Sequence, residues 1–303
     1  MNHEQTEPLV SIITLNYNGT ADTLRFLESV QKLRYKNYEV LVCDMCSAVD
    51  PSTQIKAGNF TNTKLLLSPK NLGFAAGNNW GMRQAAGEYY FIVNNDTELT
   101  PSILNELLEP FRHNSSIAVT CPKIKYFDNP EIVQYAGFEK MNMFTGRTNT
   151  IGDHQKDDGR YDKAGYTNGA HGCAMMVKKE AAEKTGMFPE KFFLYYEEWD
   201  WSMRLMKAGY KIFYQPAALI YHKESMSVGK NSTLKTYYLS RNRILFMRRN
   251  CSILQLAVFF LFYSAFSFPK TVLGYLLKAD FLSLKVYLKA VGWNLVNSKQ
   301  SAV

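Results

Sequence analysis

The sequence of 303 residues lacks both a disulfide framework and a recognisable export signal. Its five cysteines are an odd number, and only Cys43 and Cys46 have a recurrent spacing, C-x-x-C. A thioredoxin-type motif opens a helix, whereas residues 47–51 indicate a loop, so a thiol–disulfide function is disfavoured. The N-terminus has no basic segment followed by an apolar one, which predicts a chain in the reducing cytoplasm.

Low-complexity segments and internal repeats are also absent, and 46% apolar with 20% charged residues excludes wholesale disorder. The net charge of +8 is placed unevenly, because residues 235–303 hold ten Lys or Arg residues against Asp280 alone. A near-neutral body with a basic, apolar tail predicts an anionic partner for the tail. The apolar content favours a membrane over a nucleic acid.

Strand and helix patterns alternate through the first third of the chain. Apolar runs predict strands at residues 9–15, 38–43, 64–67, 89–93 and 117–121. Apolar residues at helical spacing predict helices that begin at Thr20, cover residues 74–86 and follow Pro101. Repeating β-α units predict a mostly parallel sheet, whose ligands bind beyond the carboxyl ends of the strands. Asp44 and Asp96 end two of these strands, so we expect both at one edge.

Four local patterns carry candidate chemistry, each with a structural alternative. Asp96 closes Asn94-Asn95-Asp96, which is either a divalent-cation ligand set or a turn. Residues 71–79 (NLGFAAGNN) place glycines before a helix, where backbone N–H groups bind a diphosphate or where small residues serve only packing. Glu197, Glu198 and Asp200 crowd three carboxylates at a helix start, for base catalysis or for the helix dipole. His222 closes a strand, where a lone histidine is more often structural.

The order of these motifs resembles the family 2 glycosyltransferases with a GT-A fold. The resemblance rests on VSIITLNYNG (10–19), Asp44, NLGFAAGNN (71–79), NND (94–96), YYEEWDWSMRLMKAGY (195–210) and YH (221–222). It spans about residues 9–250. Residues 237–243 (YYLSRNR) resemble the branch that contains bacterial rhamnosyltransferases. This implies a Rossmann-like GT-A domain at residues 1–234, with a nucleotide-binding half (1–122) and an acceptor-binding half (123–234), followed by a helical, amphipathic extension (235–303).

The resemblance implies a role for each matching residue. The residues implied to bind a nucleotide-diphosphate sugar donor are Thr14, Asn16, Asp44, Asn71, Gly73, Gly77 and Asn95. Asp96 and His222 are implied to bind Mg²⁺ or Mn²⁺. Glu198 falls at the position of the presumed base, with Glu197 as its rival. Asp200, with Arg204, matches a helix start that is structural or orients the acceptor.

Two departures from the family pattern bear on these roles. Asn94 stands where stricter members have Asp, which leaves Asp96 as the one carboxylate of that motif. Glu198 stands where the family usually has Asp, so the base gains a methylene and its reach changes. The implied reaction is a single, inverting displacement, since the sequence nominates no nucleophile for a covalent step.

The tail contains two apolar segments. Residues 253–269 are apolar but stop at Pro269-Lys270, which is short for a transmembrane helix. In residues 278–295, Leu284, Leu288, Val291 and Leu295 share one helical face and lysines the other, as in an interfacial helix. The alternative is a helix packed on the protein itself or on a second subunit. We expect a peripheral contact at the inner face of the cell membrane.

Three functions are therefore compared. The first is transfer of a sugar, with dTDP-rhamnose as the leading donor and UDP-hexoses next, to a surface glycan or a lipid-linked acceptor. The second is a catalytically silent, glycosyltransferase-like partner subunit, which the substitutions at Asn94 and Glu198 motivate. The third is a nucleotidyltransferase, which the lack of an N-terminal Gly-rich, basic phosphate loop disfavours.

Overall fold

The computed structural model describes residues 7–223 and 232–301. Its strands, in chain order, are β1 (Val10–Asn16), β2 (Tyr38–Asp44), β3 (Thr63–Leu67), β4 (Tyr89–Val93), β5 (Thr97–Leu99), β6 (Ile117–Tyr126), β7 (Ile132–Tyr135), β8 (Gln155–Lys156), β9 (Gly165–Thr167), β10 (Ala174–Lys178) and β11 (Lys211–His222). The central strands are almost wholly buried, in keeping with their apolar, β-branched sequences.

Helices alternate with the strands and then form the C-terminal region. They are α1 (Thr20–Val30), α2 (Ser52–Ala57), α3 (Gly73–Gln84), α4 (Ile103–His113), α5 (Lys179–Thr185), α6 (Glu197–Lys207), α7 (Thr233–Asn250), α8 (Ile253–Phe262), α9 (Phe268–Leu277) and α10 (Phe281–Val296). Helix α4 shows the amphipathic rule plainly, since Leu104, Leu107, Leu108 and Phe111 are all buried at helical spacing.

One mixed sheet holds these strands in the order β3-β2-β1-β4-β10-β6-β11-β5. Strands β3, β2, β1 and β4 are parallel, as the β-α repeat predicts, and β11 is parallel to β6. Strand β10 is antiparallel to both of its neighbours, and it joins the two parallel groups. The α/β, GT-A-like fold class expected from the sequence is confirmed.

The sequence predicts a long surface excursion at residues 123–170 and two short strands at residues 211–214 and 218–221, and the structure corrects both expectations. Residues 123–170 are not only a surface excursion, since β6 runs on to Tyr126 and β7 buries Val133 and Tyr135. Residues 211–221 form one strand rather than two, because β11 continues past Pro216 through a register shift between Gln215 and Leu219. A proline removes one ladder donor, and a bulge lets the strand continue around it.

The tail is also more continuous than its sequence indicates. The helical run does not stop at Pro269 but continues from Ile253 to Leu277, with a π-helical turn at Tyr263–Ser267. Proline has no backbone N–H to donate within a helix. The π-helical turn already interrupts the regular hydrogen-bond pattern just before Pro269, so the helix continues through the proline. This run is long and apolar enough to cross a membrane: the mean hydropathy is 1.6 over an 18-residue window, and 17% of that window is buried.

Helix α10 packs on the protein through a face other than the predicted lipid-facing apolar stripe. Its buried residues are Tyr287, Ala290 and Asn294. Asn294 donates from Nδ2 to the backbone oxygen of Arg241 in α7 at 3.0 Å. Leu288 and Leu295, from the predicted apolar stripe, stay exposed. The helix therefore packs on the protein through one face and leaves an apolar face open.

Candidate active site

The carboxyl ends of the parallel strands meet at one edge of the sheet. Asn16 and Asp44 are register partners at the ends of β1 and β2. Residues 94–96 follow β4, which is the other neighbour of β1. The sheet therefore brings Asn16, Asp44 and Asp96 to one edge, as the β-α pattern predicts.

A chain of hydrogen bonds ties these strand ends together. Asn16 donates from Nδ2 to Oδ1 of Asp44 at 2.7 Å, and its Oδ1 accepts from the hydroxyl of Thr23 at 3.0 Å. Asn95 donates from Nδ2 to that hydroxyl at 2.8 Å. The backbone N–H of Ser47 donates to Oδ2 of Asp44 at 2.9 Å. Asp44 and Asn16 thus fix the loops that follow β1 and β2.

A cavity of about 440 Å³ opens beside these strand ends. The predicted site residues that line it are Asn71, Gly73, Asn95, Asp96, Glu197, Glu198 and His222. The structure therefore brings the predicted metal ligands, both candidate bases and part of the predicted donor segment to one cavity. A cavity of this size is typical of small-molecule sites.

Four predicted donor-binding residues lie behind the wall of this cavity rather than in it. They are Thr14, Asn16, Asp44 and Gly77. A Cβ on Gly77 would lie 2.8 Å from Sδ of Met45 and 3.0 Å from Cδ1 of Leu15, and both of these side chains line the cavity. Gly77 therefore shapes the wall through its neighbours.

Asp200 lies apart from the cavity. It is 1% exposed and accepts from Nε of Arg204 at 3.2 Å, Nε of Arg249 at 2.7 Å and Nδ2 of Asn250 at 2.9 Å. These bonds join α6 to the end of α7. The geometry favours the structural alternative for Asp200 and gives its carboxylate no access to substrate.

Asp96 and His222 form a buried pair. Nε2 of His222 lies 3.2 Å from Oδ1 of Asp96, while Nδ1 lies 2.8 Å from Oε1 of Gln134. Because an amide oxygen only accepts, Nδ1 carries a proton and Nε2 faces Asp96. Burial disfavours a charged ring, but Cys173 and Asp96 outweigh burial and raise the pKa of His222 well above its ordinary value.

The donor set fits a small divalent cation. Two ligand atoms at right angles and about 2.1 Å from one ion lie about 3 Å apart, close to the separation of Asp96 and His222. Within residues 7–223 and 232–301, no group of three or more His, Cys, Asp or Glu side chains is placed to hold a metal ion. Two protein ligands, with phosphate and water at the other positions, are usual for Mg²⁺ and Mn²⁺ at phosphate sites.

The two glutamates lie across the cavity, at the start of α6. Glu197 is 2% exposed and Glu198 is half-buried, and Oε2 of each carboxyl is buried without a hydrogen-bond partner. Burial raises the pKa of Glu198 to about 7. Burial and the neighbouring Glu198 raise the pKa of Glu197 well above its ordinary value. Glu198 is thus poised to accept a proton near neutral pH, and the raised pKa of Glu197 favours its neutral form.

Sequence reasoning missed several residues of the cavity. Gln134 of β7 and Cys173 before β10 both line it. Leu234 and Lys235 line it from α7, within a region that the sequence assigned largely to a separate tail. Gln134 and Cys173 lie in stretches without a motif, and only the sheet pairing brings them to Asp96. The basic, aromatic sequence of α7 was the one available signal that the tail has a specific role.

Asp96 and His222 share one cavity with the glutamates of α6, at the edge of an α/β sheet where ligands commonly bind. The chain belongs to "Glycosyl transferase family 2", whose sequence profile matches residues 11–186. Its activity class is therefore glycosyl transfer. The resemblance recognised from the sequence motifs is confirmed.

Curated relatives are distant. An N-acetylglucosaminyl-diphospho-decaprenol L-rhamnosyltransferase of Mycobacterium tuberculosis is 23% identical over 245 residues, covering 74% of this chain and 78% of the relative. The low-salt glycan biosynthesis hexosyltransferase Agl10 of Haloferax volcanii is 23% identical over 252 residues, covering 78% of this chain and 74% of the relative.

Solved structures share the fold. The mannosyltransferase PcManGT of Pyrobaculum calidifontis, in complex with GDP-Man and Mn²⁺, superposes with a TM-score of 0.57 at 15% identity, covering 97% of this chain and 77% of that chain. Residues 1–349 of Staphylococcus aureus TarS superpose with a TM-score of 0.58 at 20% identity, covering 93% of this chain and 79% of that chain.

Proposed function

We propose that this chain is an inverting, metal-dependent glycosyltransferase that uses a nucleotide-diphosphate sugar. The leading donor is dTDP-L-rhamnose, and a UDP-hexose is the next choice. The acceptor is a hydroxyl of a cell-surface glycan or of a lipid-linked precursor. The observation that carries the proposal is one cavity that holds both the Asp96–His222 pair and the glutamates of α6. The mycobacterial relative supports rhamnose and a lipid-linked acceptor.

Glu198 is the proposed base. It takes the proton of the acceptor hydroxyl while that oxygen forms a bond to the anomeric carbon, and the bond from this carbon to the diphosphate breaks. One displacement inverts the anomeric centre. Glu197 takes no part in this step, because burial and the neighbouring Glu198 raise its pKa and favour its neutral form.

Asp96 and His222 are proposed to hold Mn²⁺ or Mg²⁺. Charge that builds on the leaving diphosphate is neutralised by such a cation when it is bound. The Gln134 amide orients the ring of His222, so that Nε2 faces the cation position. The mannosyltransferase PcManGT, whose complex contains GDP-Man and Mn²⁺, supports this assignment.

A peripheral membrane contact through the tail is part of the proposal. Side chains exposed on the tail helices include Leu254, Leu261, Phe266, Leu277 and Leu295. Arg243 of α7 donates from Nη1 to the buried Ser267 hydroxyl at 3.1 Å, which holds one face of the 253–277 run against the protein. Because one face of this helix is bonded to the protein, we propose that the helix lies on the bilayer surface rather than crosses it. The enzyme would act at the cytoplasmic face, where a lipid-linked acceptor is within reach.

Donor turnover tests the activity. Purified protein with Mn²⁺ or Mg²⁺ is incubated with a panel of nucleotide sugars, and released nucleotide diphosphate is measured. We expect metal-dependent release from one donor, which Asp96→Ala and Glu198→Gln abolish and the exposed control Glu98→Gln retains. No release from any donor, with membrane extract supplied as acceptor, would support the silent-subunit alternative instead.

A further inference from the structure

Helix α7 buries three consecutive polar side chains in its middle. Arg241, Asn242 and Arg243 are all buried, and Asn242 has no exposed surface. Burying a polar group costs free energy unless it is hydrogen-bonded. Their partners are therefore informative. Arg243 bonds to the backbone oxygen of Thr145 and to the Ser267 hydroxyl, whereas Arg241 and Asn242 bond to the segment that leads into the candidate bases.

The hydrogen bonds of the Asn242 amide all go to residues 192–195 and to the adjacent Arg241. Its Nδ2 donates to the backbone oxygens of Phe192 at 2.9 Å, Leu194 at 2.7 Å and Tyr195 at 2.8 Å, so two N–H groups are shared among three carbonyls. Its Oδ1 accepts from Nε of Arg241 at 2.7 Å. Every polar atom of the amide is thus engaged.

Arg241 extends this contact along the same segment. Its Nη2 donates to the backbone oxygens of Lys191 at 2.8 Å and Phe192 at 2.6 Å. Its guanidinium also lies 4.7 Å from the ring centroid of Trp293 in α10 and 4.6 Å from that of Tyr238. The tail helices therefore hold the guanidinium that supports Asn242.

The segment needs such support because its backbone is strained. Phe193, Tyr195 and Tyr196 have φ angles of 64°, 70° and 73°, in the left-handed region that bulky residues rarely adopt. Such strain persists only where the surroundings impose it. Glu197 and Glu198 follow at once, so the turn sets where both carboxyls point.

The opposite side of the segment contacts the donor half of the cavity. The backbone oxygen of Phe193 accepts from the N–H groups of Phe74 at 2.6 Å and Ala75 at 3.3 Å. The turn is thus held between α3, beside the predicted donor segment, and α7 of the tail. Its geometry depends on both.

We infer that Asn242 is a positioning residue for glycosyl transfer, because its amide holds the strained turn that places Glu198 at the cavity. Only an amide supplies both the acceptor for Arg241 and donors for the carbonyls of the turn. Helix α7 is thereby part of the active site, across the boundary that the sequence predicts between residues 234 and 235. The inference rests on the proposed function.

Two substitutions of Asn242 separate positioning from folding. Asn242→Asp keeps the shape and pairs with Arg241, but a carboxylate cannot donate to the three carbonyls. Asn242→Ala removes the whole contact. The matched control is Tyr263→Phe, which deletes the buried 2.8 Å hydrogen bond between the hydroxyls of Tyr263 and Tyr287, elsewhere in the tail.

The full-length protein is assayed with the donor that the wild type turns over. We expect both Asn242 variants to lower kcat about 10- to 100-fold and to leave the donor KM within about twofold, as for loss of a group that orients a base. Tyr263→Phe should keep wild-type kcat. Backbone hydrogen exchange of residues 192–198 should quicken in the Asn242 variants alone.

Two kinds of result would contradict this inference or the function on which it rests. Wild-type kcat in Asn242→Asp, or a loss that Tyr263→Phe reproduces, overturns the inference while the transferase activity stands. A wild type that turns over no donor sinks the proposed function instead. Hydrogen exchange then still decides the structural claim, since unchanged exchange in residues 192–198 would show that Asn242 does not hold the turn.

Discussion

Nε2 of His222 lies 3.2 Å from Oδ1 of Asp96, and the sheet itself fixes this distance. Strand β11 ends at His222, whose register partner in β5 is Thr97, next to Asp96. The backbone N–H of Lys223 also donates to the backbone oxygen of Asp96 at 3.0 Å. The pair is thus built at strand ends rather than in a free loop, which suits the proposed cation site because a cation needs its ligands in one geometry.

Replacing Gln134 should weaken metal binding without touching a ligand. Gln134→Met keeps the volume but removes the acceptor that holds Nδ1 of His222. We expect the Mn²⁺ concentration for half-maximal activity to rise about 10- to 100-fold, as for other outer-shell partners of ligating histidines. The kcat at saturating Mn²⁺ should stay near that of the wild type.

The control for this experiment is Gln155→Met. Gln155 lies in β8, which pairs with β7, and it is exposed. An unchanged Mn²⁺ requirement in Gln134→Met, or an equal change in Gln155→Met, would contradict the assigned orienting role. A lower kcat at every Mn²⁺ concentration would instead indicate that Gln134 contacts substrate.

The sequence motifs predict Asp96 and His222 at strand ends and Glu198 at a helix start, and the fold brings all three to one cavity. Thr14, Asn16 and Asp44 also belong to strands that end at this edge, but they do not line the cavity. Gln134 was out of reach, because its strand is short and pairs antiparallel with β6, so no periodicity marks it. Asn242 was missed because a helix interior gives no sign that its polar residues face distant carbonyls.

The activity of the wild type should rise with pH through neutrality. Burial raises the pKa of Glu198 to about 7, and a base must be deprotonated to act. Its neighbour Glu197 lies on the same helix, and the Arg241 guanidinium on α7 lowers the pKa of that Glu197 carboxyl against the larger effect of burial. We expect kcat/KM to increase with pH around an apparent pKa near 7. A profile that is flat between pH 5.5 and 8.5, roughly the window over which such a group titrates, would exclude Glu198 as the base.

The raised pKa of Glu198 also makes the stability of the protein depend on pH: stability should fall as pH rises through neutrality, whereas activity should rise. The folded-state pKa of Glu198 lies above the ordinary value of 4.5, so the native state binds the proton more tightly than the unfolded chain. The contribution of Glu198 to the free energy of unfolding is fully present below pH 4.5 and is lost as pH rises towards about 7. Glu198→Gln should therefore raise Tm by a few degrees at pH 8 and leave it nearly unchanged at pH 4. An equal Tm change at both pH values would contradict this linkage.

Gly73 should tolerate no side chain. Its φ is +74°, and a Cβ there would overlap the ring of Phe193 in the strained turn. We expect Gly73→Ala to lower the free energy of unfolding by about 1–3 kcal/mol, measured by urea denaturation. Gly165→Ala is the control, because a Cβ at that position meets nothing within 4 Å. Equal stability of the two variants would contradict the close packing of Gly73 on Phe193.

Gly172 offers a contrasting substitution inside the cavity. A Cβ there would meet Cζ of Phe74 at 3.8 Å and Cδ of Glu198 at 4.0 Å, which are ordinary contacts. Gly172→Ala should therefore fold normally but place a methyl group beside the proposed base. We expect wild-type stability with a higher acceptor KM, measured by transfer at saturating donor. An unchanged KM would mean that the acceptor does not approach Glu198 from this side.

The exposed apolar surface of the tail should bind lipid. Leu261 and Phe266 are 73% and 65% exposed, and Lys270, Lys278, Lys285 and Lys289 follow them in the tail. We expect the protein to co-sediment with vesicles that contain phosphatidylglycerol, less so at high salt. The variant Leu261→Glu/Phe266→Glu should bind at least about tenfold more weakly, because each buried side chain contributes about 1.5–3 kcal/mol.

The control is Val49→Glu, which introduces the same charge at a side chain that is also 73% exposed but lies in the nucleotide-binding half. It should bind vesicles like the wild type, and all three proteins should release nucleotide diphosphate equally without vesicles. Extraction by alkaline carbonate should free the wild type from membranes, because a peripheral helix leaves with the protein whereas a spanning helix does not. Resistance to carbonate would instead mean that residues 253–277 cross the bilayer. Equal vesicle binding by the double variant would assign this apolar face to a second subunit.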